Sequence, residues 1–159
     1  MNTRILVAGI GNIFLGDDAF GCEVARRVAS AAWPEHVRVA DFGIRSLDLA
    51  FAMLDGVERT IFVDAVPRGG VPGTLYTIQP DCNGIPVNVD AHGMSPMSVL
   101  ALVKAMGGEL GEVLIVGCEP ESCEERMGLS ETVAASVDAA AAMVGELIVE
   151  VKHESRNNP

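Results

Sequence analysis

Three short segments each carry a side chain able to bind a metal ion: Asp18 in GNIFLGDDAFG, Asp64 in TIFVDAV and His92 in VDAHGMSP. Two carboxylates and an imidazole, brought together, make a divalent-metal site with coordination positions left open. An ion held there can polarise a carbonyl or lower the pKa of a bound water. Each residue also has a plainer use. Asp is among the best helix caps, so one of the pair Asp17 and Asp18 is expected to cap, leaving the other to face its neighbours. Asp64 and Asp41 at strand ends can bond the amides of the loops that follow, and Asp41 is expected to fix its loop or support the site from behind. A lone histidine is more often solvated or packed in a core than a ligand. What favours a shared site is that Asp18, Asp64 and His92 all fall at junctions between elements.

The elements that must position them follow from hydrophobic pattern. Arg4 to Gly9 is a short apolar run stopped by glycine, hence a buried first strand. Ala19 to Ala32 has Phe20, Val24, Val28 and Ala31 at helical spacing, closed by Pro34. Val37–Asp41 and Arg59–Val63 read as the next strands, with a helix through Leu47, Leu49, Ala50 and Leu54 between them and Ser46 as its cap. Thr74–Ile78 alternates like a strand near a sheet edge, and Gln79–Asp90 is a loop rich in Pro, Asn and Asp. Ser95-Pro96 starts a helix with Val99, Leu102, Val103 and Met106 facing inward. Glu112–Gly117 is the final strand, and a long helix begins at Ser130. Alternating strands and helices predict an α/β fold: a three-layer α/β/α sandwich around a mostly parallel, twisted sheet of about five strands. Such sheets carry their sites at the carboxyl ends of the strands, where Asp41 and Asp64 fall. Residues 1–152 are expected to form one domain and 153–159 a polar, frayed tail.

Composition narrows the function classes. The 159 residues carry a formal charge of −11, with 11 Lys and Arg against 22 Asp and Glu, one Trp and one Tyr. That balance argues against nucleic acid, whose phosphates need clustered cations. With 49% hydrophobic residues a disordered chain is disfavoured. The start MNTRILVAGIGN lacks a basic segment, a long apolar core and a cleavage site, and no run of about 18 uninterrupted apolar residues exists. The expectation is a cytoplasmic protein without membrane insertion. Cys118 and Cys123 could form a metal clip or a redox pair, but dispersed thiols without CxxC read better as isolated. The turn Gly9-Ile10-Gly11-Asn12 invites a nucleotide, yet it lacks a third glycine, and phosphate there would meet Asp17 and Asp18.

Taken in order, GIGNIFLGDDAFG, DFGIRSLDL, FVDAV, RGGVPGTLY, the His92-Gly93-Met94-Ser95 loop and VGCEPESCEERMGLSETV resemble the hydrogenase maturation endopeptidases. The likeness spans roughly residues 4 to 135. It implies an enzyme that cuts the C-terminal extension from a [NiFe] hydrogenase large-subunit precursor once nickel is in place. It implies Asp18, Asp64 and His92 as the metal and catalytic residues, with nickel supplied by the precursor and Asp41 in a supporting place. Either nickel acts on the scissile carbonyl or a bound water, or a carboxylate, Asp41 or Asp64, serves as general base. Many members carry glutamate at the position of Asp18, so this carboxylate is one methylene shorter. DFGI also departs from the DGGT often found there, where the turn shapes substrate access. No HExxH, GxSxG or DTG motif offers a different protease chemistry. Two other classes stand behind this reading: a non-catalytic nickel-binding maturation chaperone, and a nucleotide-binding α/β module.

Overall fold

The computed structural model describes residues 2–85 and 94–157. In chain order the elements are β1 (Ile5–Ile10), α1 (Phe20–Ala29), β2 (Val37–Gly43), α2 (Ser46–Leu54), β3 (Arg59–Ala65), β4 (Leu75–Ile78), α3 (Pro96–Ala105), β5 (Glu112–Cys118), α4 (Glu131–Ala134) and α5 (Val137–Asn157). The strands form one sheet in the order β2-β1-β3-β5-β4. The first four run parallel, and β4 closes the edge antiparallel to β5. Alternate residues of the apolar strands serve opposite layers. Ile5 and Val7 pack with Phe20, Val24 and Val28 of α1 and Ala140, Val144 and Ile148 of α5. Leu6, Ala8 and Ile10 pack with Leu49, Ala50 and Met53 of α2 and Val99, Leu100 and Val103 of α3. This is the three-layer sandwich expected from the alternating pattern, with five strands.

The connection after β1 runs to one side of the sheet and that after β3 to the other, so the crevice between these two strands is the switch point where such folds bind ligands. Helix α1 lies unusually close over it. A Cβ on Gly21 would overlap the carbonyl oxygens of Val63 and Ile10, and one on Gly9 would overlap the carbonyl of Gly21. Two glycines thus let the helix rest directly on β1 and β3. At the far end of the sheet the buried Arg59 makes a two-pronged pair with Glu112, at 2.7 and 3.0 Å, and donates to the Leu147 carbonyl at 3.1 Å. This ties β3, β5 and α5 together away from the crevice.

Several local expectations are corrected. Residues Gly16–Ala19 form a 3₁₀ turn, so α1 starts only at Phe20 and ends before Ala31, which is exposed. Ser46 is the first residue of α2 rather than its cap, and no side chain caps that helix. Ser95 caps α3 in a reciprocal bond with Ser98, as its sequence implies. The last helix is two: Ser130 caps α4, and α5 begins at Val137 and continues to Asn157, past the start of the expected tail. Residues Glu131–Glu150 are long and apolar enough to cross a membrane by length and composition. Asp138 and Glu146 interrupt it, so it holds no unbroken apolar run of that length. Its buried row, Val133, Ala140, Val144 and Ile148, faces the sheet core.

Candidate active site

The loop after β1 is shaped by Gly11, whose φ of +143° and missing Cβ let it pass against the backbone of Asp18. Asn12 then donates its backbone N–H to Asp18 Oδ2 at 2.8 Å. Asp18 is thereby held at the switch point, half-buried. Asp64, at the end of β3, is buried at 6% exposure. Burial first, and then the negative charge of Asp18, push the Asp64 carboxyl well above its ordinary 3.8, against a smaller opposing effect of the Ala65 amide. The two carboxylates therefore sense each other across the β1–β3 crevice. Among the described residues neither has a salt-bridge partner. Like charges left facing each other at low dielectric form a setting that a cation stabilises. His92 lies outside the described residues, and among those described no cluster of three ligating side chains forms.

Asp41 lies on the other side of β1 from Asp64. In the sheet register Gly9 lies between Asp41 and Val63, so β1 separates the two aspartates by roughly 10 Å of strand spacing. Its Oδ2 accepts from Arg26 at 3.1 and 3.2 Å, and Oδ1 accepts from the Gly43 amide at 2.9 Å. Buried Cys22 lies beside it; burial, then the hydrogen bond to Asp41, push that thiol up to about 12. Asp41 thus fixes the turn at the end of β2.

Neither aspartate of the tandem caps a helix. Asp17, fully buried, instead reaches across to a segment more than a hundred residues later. Its carboxylate accepts from the amides of Glu121, Ser122 and Ser130 at 2.8, 3.1 and 2.7 Å, and from Ser130 Oγ at 2.9 Å. Burial alone would raise its pKa, but these donors outweigh it and hold the carboxyl below 3.8. Backbone bonds from Gly16 to Arg126, from Arg126 to Phe14 and from Asp17 to Ser122 complete the seam. The seam brings Cys123 within reach of the site: partial desolvation, then the charges of Asp18, Asp17 and Asp64, raise its thiol. Cys118 is buried and Cys123 exposed, and both are free. A second buried carboxylate also serves as an anchor. Glu119, just past β5, accepts from the amides of Arg68 and Gly70 and from the Tyr76 hydroxyl, at 3.0, 2.7 and 2.8 Å. It fastens the RGG turn that follows β3. The only trace of either role in the chain is a doubled Asp and a Glu directly after an apolar strand.

This arrangement can be set beside known proteins. The family model described as hydrogenase maturation protease matches residues 22–147, most of the chain. The chain belongs to the hydrogenase maturation protease family. A relative from Rhodobacter capsulatus, the hydrogenase expression/formation protein HupD, is 36% identical over 146 residues, covering 87% of this chain and 68% of its own. The hydrogenase maturating endopeptidase HybD from E. coli superposes with a TM-score of 0.76 at 28% identity, covering 93% of each chain. A hydrogenase 2 maturation peptidase from a Thaumarchaeota archaeon gives a TM-score of 0.72 at 33% identity, over 92% of this chain and 98% of that one. The protein is accordingly a maturation endopeptidase, a peptide-bond hydrolase. The five-stranded sheet and its helices are the family's architecture.

Proposed function

We propose that this maturation protease acts in the cytoplasm on a [NiFe] hydrogenase large-subunit precursor, removing its C-terminal extension after nickel insertion. Asp18, Asp64 and His92 would read the nickel, which belongs to the substrate. The observation that carries this reading is the pairing of Asp18 with the buried Asp64. Burial and like charge raise Asp64, and a divalent ion between the two carboxylates would relieve that repulsion. An imidazole added to two carboxylates shifts such a site from the hard ions toward nickel and its neighbours.

Nickel in this place can polarise the scissile carbonyl, or it can seat the substrate while a carboxylate serves as general base. Asp64 suits the second role, because a pKa raised by burial and by the charge of Asp18 makes it a stronger proton acceptor than an ordinary carboxylate. Asp41 is engaged by Arg26 and the Gly43 amide. The test pairs nickel calorimetry with cleavage of the nickel-loaded precursor, for wild type, Asp18→Asn, Asp64→Asn and His92→Ala. Asp64→Asn is expected to slow cleavage by about 100-fold or more. Unimpaired cleavage by that variant would overturn the proposal. Saturable nickel binding with no cleavage of the precursor would turn the reading to a nickel-binding chaperone.

A further inference from the structure

Helix α2 is apolar nearly all round: in SLDLAFAML only Ser46 and Asp48 are polar. A helix of that composition is ordinarily enclosed on every side. Here Leu49, Ala50 and Met53 are buried against the sheet, while Leu47 and Phe51, one turn apart on the other face, are 52% and 56% exposed. Ile44, in the turn just before the helix, is 60% exposed. Phe14, from the loop that leads to Asp18, is 62% exposed. Phe14 and Ile44 both line a groove of about 330 Å³, together with Asn12, Phe42 and Arg45. Asn12 is the residue whose amide holds Asp18, so the groove opens beside the carboxylate pair. A contiguous apolar ridge of this kind marks an interaction surface rather than ordinary scatter.

The charges around the ridge indicate what covers it. Arg38 and Arg45 stack on the ring of Phe42, at 5.5 and 5.8 Å from its centre. Arg26 lines the same groove. Three of the chain's 11 basic side chains thus gather here; Arg26 is paired with Asp41, which lines the same groove, and Arg45 with Asp48, which leaves an excess of one positive charge at this face of a protein of net charge −11. A second copy of this chain would bring another −11 to the contact and repel it. A partner surface that is apolar and flanked by acidic groups complements it.

We propose that the Ile44–Leu47–Phe51 face of α2, continued across the groove by Phe14, docks the precursor protein through an apolar, acid-flanked surface patch. This inference rests on the precursor-processing activity proposed above and adds a contact distinct from the metal-reading residues. The test is the double variant Leu47→Ser/Phe51→Ser, whose side chains point away from the core. Steady-state cleavage of the nickel-loaded precursor is measured beside nickel calorimetry, urea unfolding and sedimentation. The expected result is a KM raised by about tenfold or more, with kcat within about twofold. Nickel affinity and the unfolding midpoint stay unchanged. A KM equal to wild type overturns the docking surface while leaving the processing activity in place. Wild type that fails to cut the precursor instead refutes the activity. A wild-type dimer dissolved by the double variant, with no change in KM, assigns the face to self-association and likewise overturns the proposal.

Discussion

Replacing Asp17 with asparagine separates the two halves of the tandem by their jobs. The side chain is fully buried and accepts four hydrogen bonds, three at Oδ2 and one, from the Ser130 amide, at Oδ1. Asparagine is isosteric but must turn its NH₂ toward one of these positions. Turned toward Ser130 it keeps three bonds, now neutral, and leaves that buried amide facing another donor. An orphaned buried donor costs about 1–3 kcal/mol, and a charge-assisted bond exceeds a neutral one by about 1 kcal/mol. Relief of the buried charge offsets part of this. The depressed pKa fixes the sign, because it means the donors stabilise the ionised form by more than burial penalises it. A net loss of about 2–4 kcal/mol follows, a fall in Tm of roughly 5–15 °C for a chain of this size. Urea unfolding at pH 7 measures it.

A second reading comes from pH. Asp17 has a folded pKa below its unfolded 3.8, so its contribution is present above 3.8 and is lost as pH falls through the folded value. The gap between wild type and Asp17→Asn must therefore shrink below about pH 4. A gap under about 0.5 kcal/mol at pH 7, or one that widens on acidification, would refute the reasoning from the hydrogen bonds.

Asp64 behaves in the opposite sense. Its folded pKa lies above 3.8, so the ionised form is penalised in the fold, absent at acid pH and growing as pH rises. Asp64→Asn is expected to be more stable than wild type at neutral pH, by a margin that widens from pH 4 upward, while cleavage is lost; lower stability throughout that range would contradict the assigned burial and repulsion. Gly21→Ala and Gly145→Ala form a contrasting pair in urea unfolding. At Gly21 the added methyl overlaps backbone carbonyls of two strands, for an expected loss of about 3 kcal/mol or more. At Gly145 of α5 it meets only Trp33 at 3.8 Å, and helix propensity predicts a gain of about 0.5–1 kcal/mol. Equal effects at the two positions would argue against the close seating of α1 on the sheet.

Much of the fold is written in local pattern. The run Ile5–Ile10 is apolar at every position, as a strand covered on both faces must be, and so is Ile61–Val63 in the middle of β3. The half-exposed Leu75–Ile78 announces an edge strand, and Ser95-Pro96 announces a helix start. From these the layered α/β class follows, because each apolar strand needs two covering layers. Strand ends bearing Asp41 and Asp64 are legible for the same reason. Boundaries proved less so: Ser46 offers a capping hydroxyl, yet Arg45 holds the cap position. The break between α4 and α5 at Ala135 and Ser136 leaves no local mark in an alanine-rich run.

What the chain alone determined was which residue types stand where strands turn into loops, and so that Asp18 and Asp64 were candidates for one site. Which aspartate does what was decided only in three dimensions. Asp17 and Asp18 are chemically identical neighbours, and successive backbone positions in a 3₁₀ turn point them in different directions. One meets four donors from a segment over a hundred residues away and becomes a structural anchor. The other meets Asp64 across the crevice, a meeting made by the sheet order β2-β1-β3 and by two glycines that seat α1 there. Partners distant in sequence leave no trace in the pattern around a residue, because hydrogen bonds and charge act through space and the pattern records only neighbours along the chain.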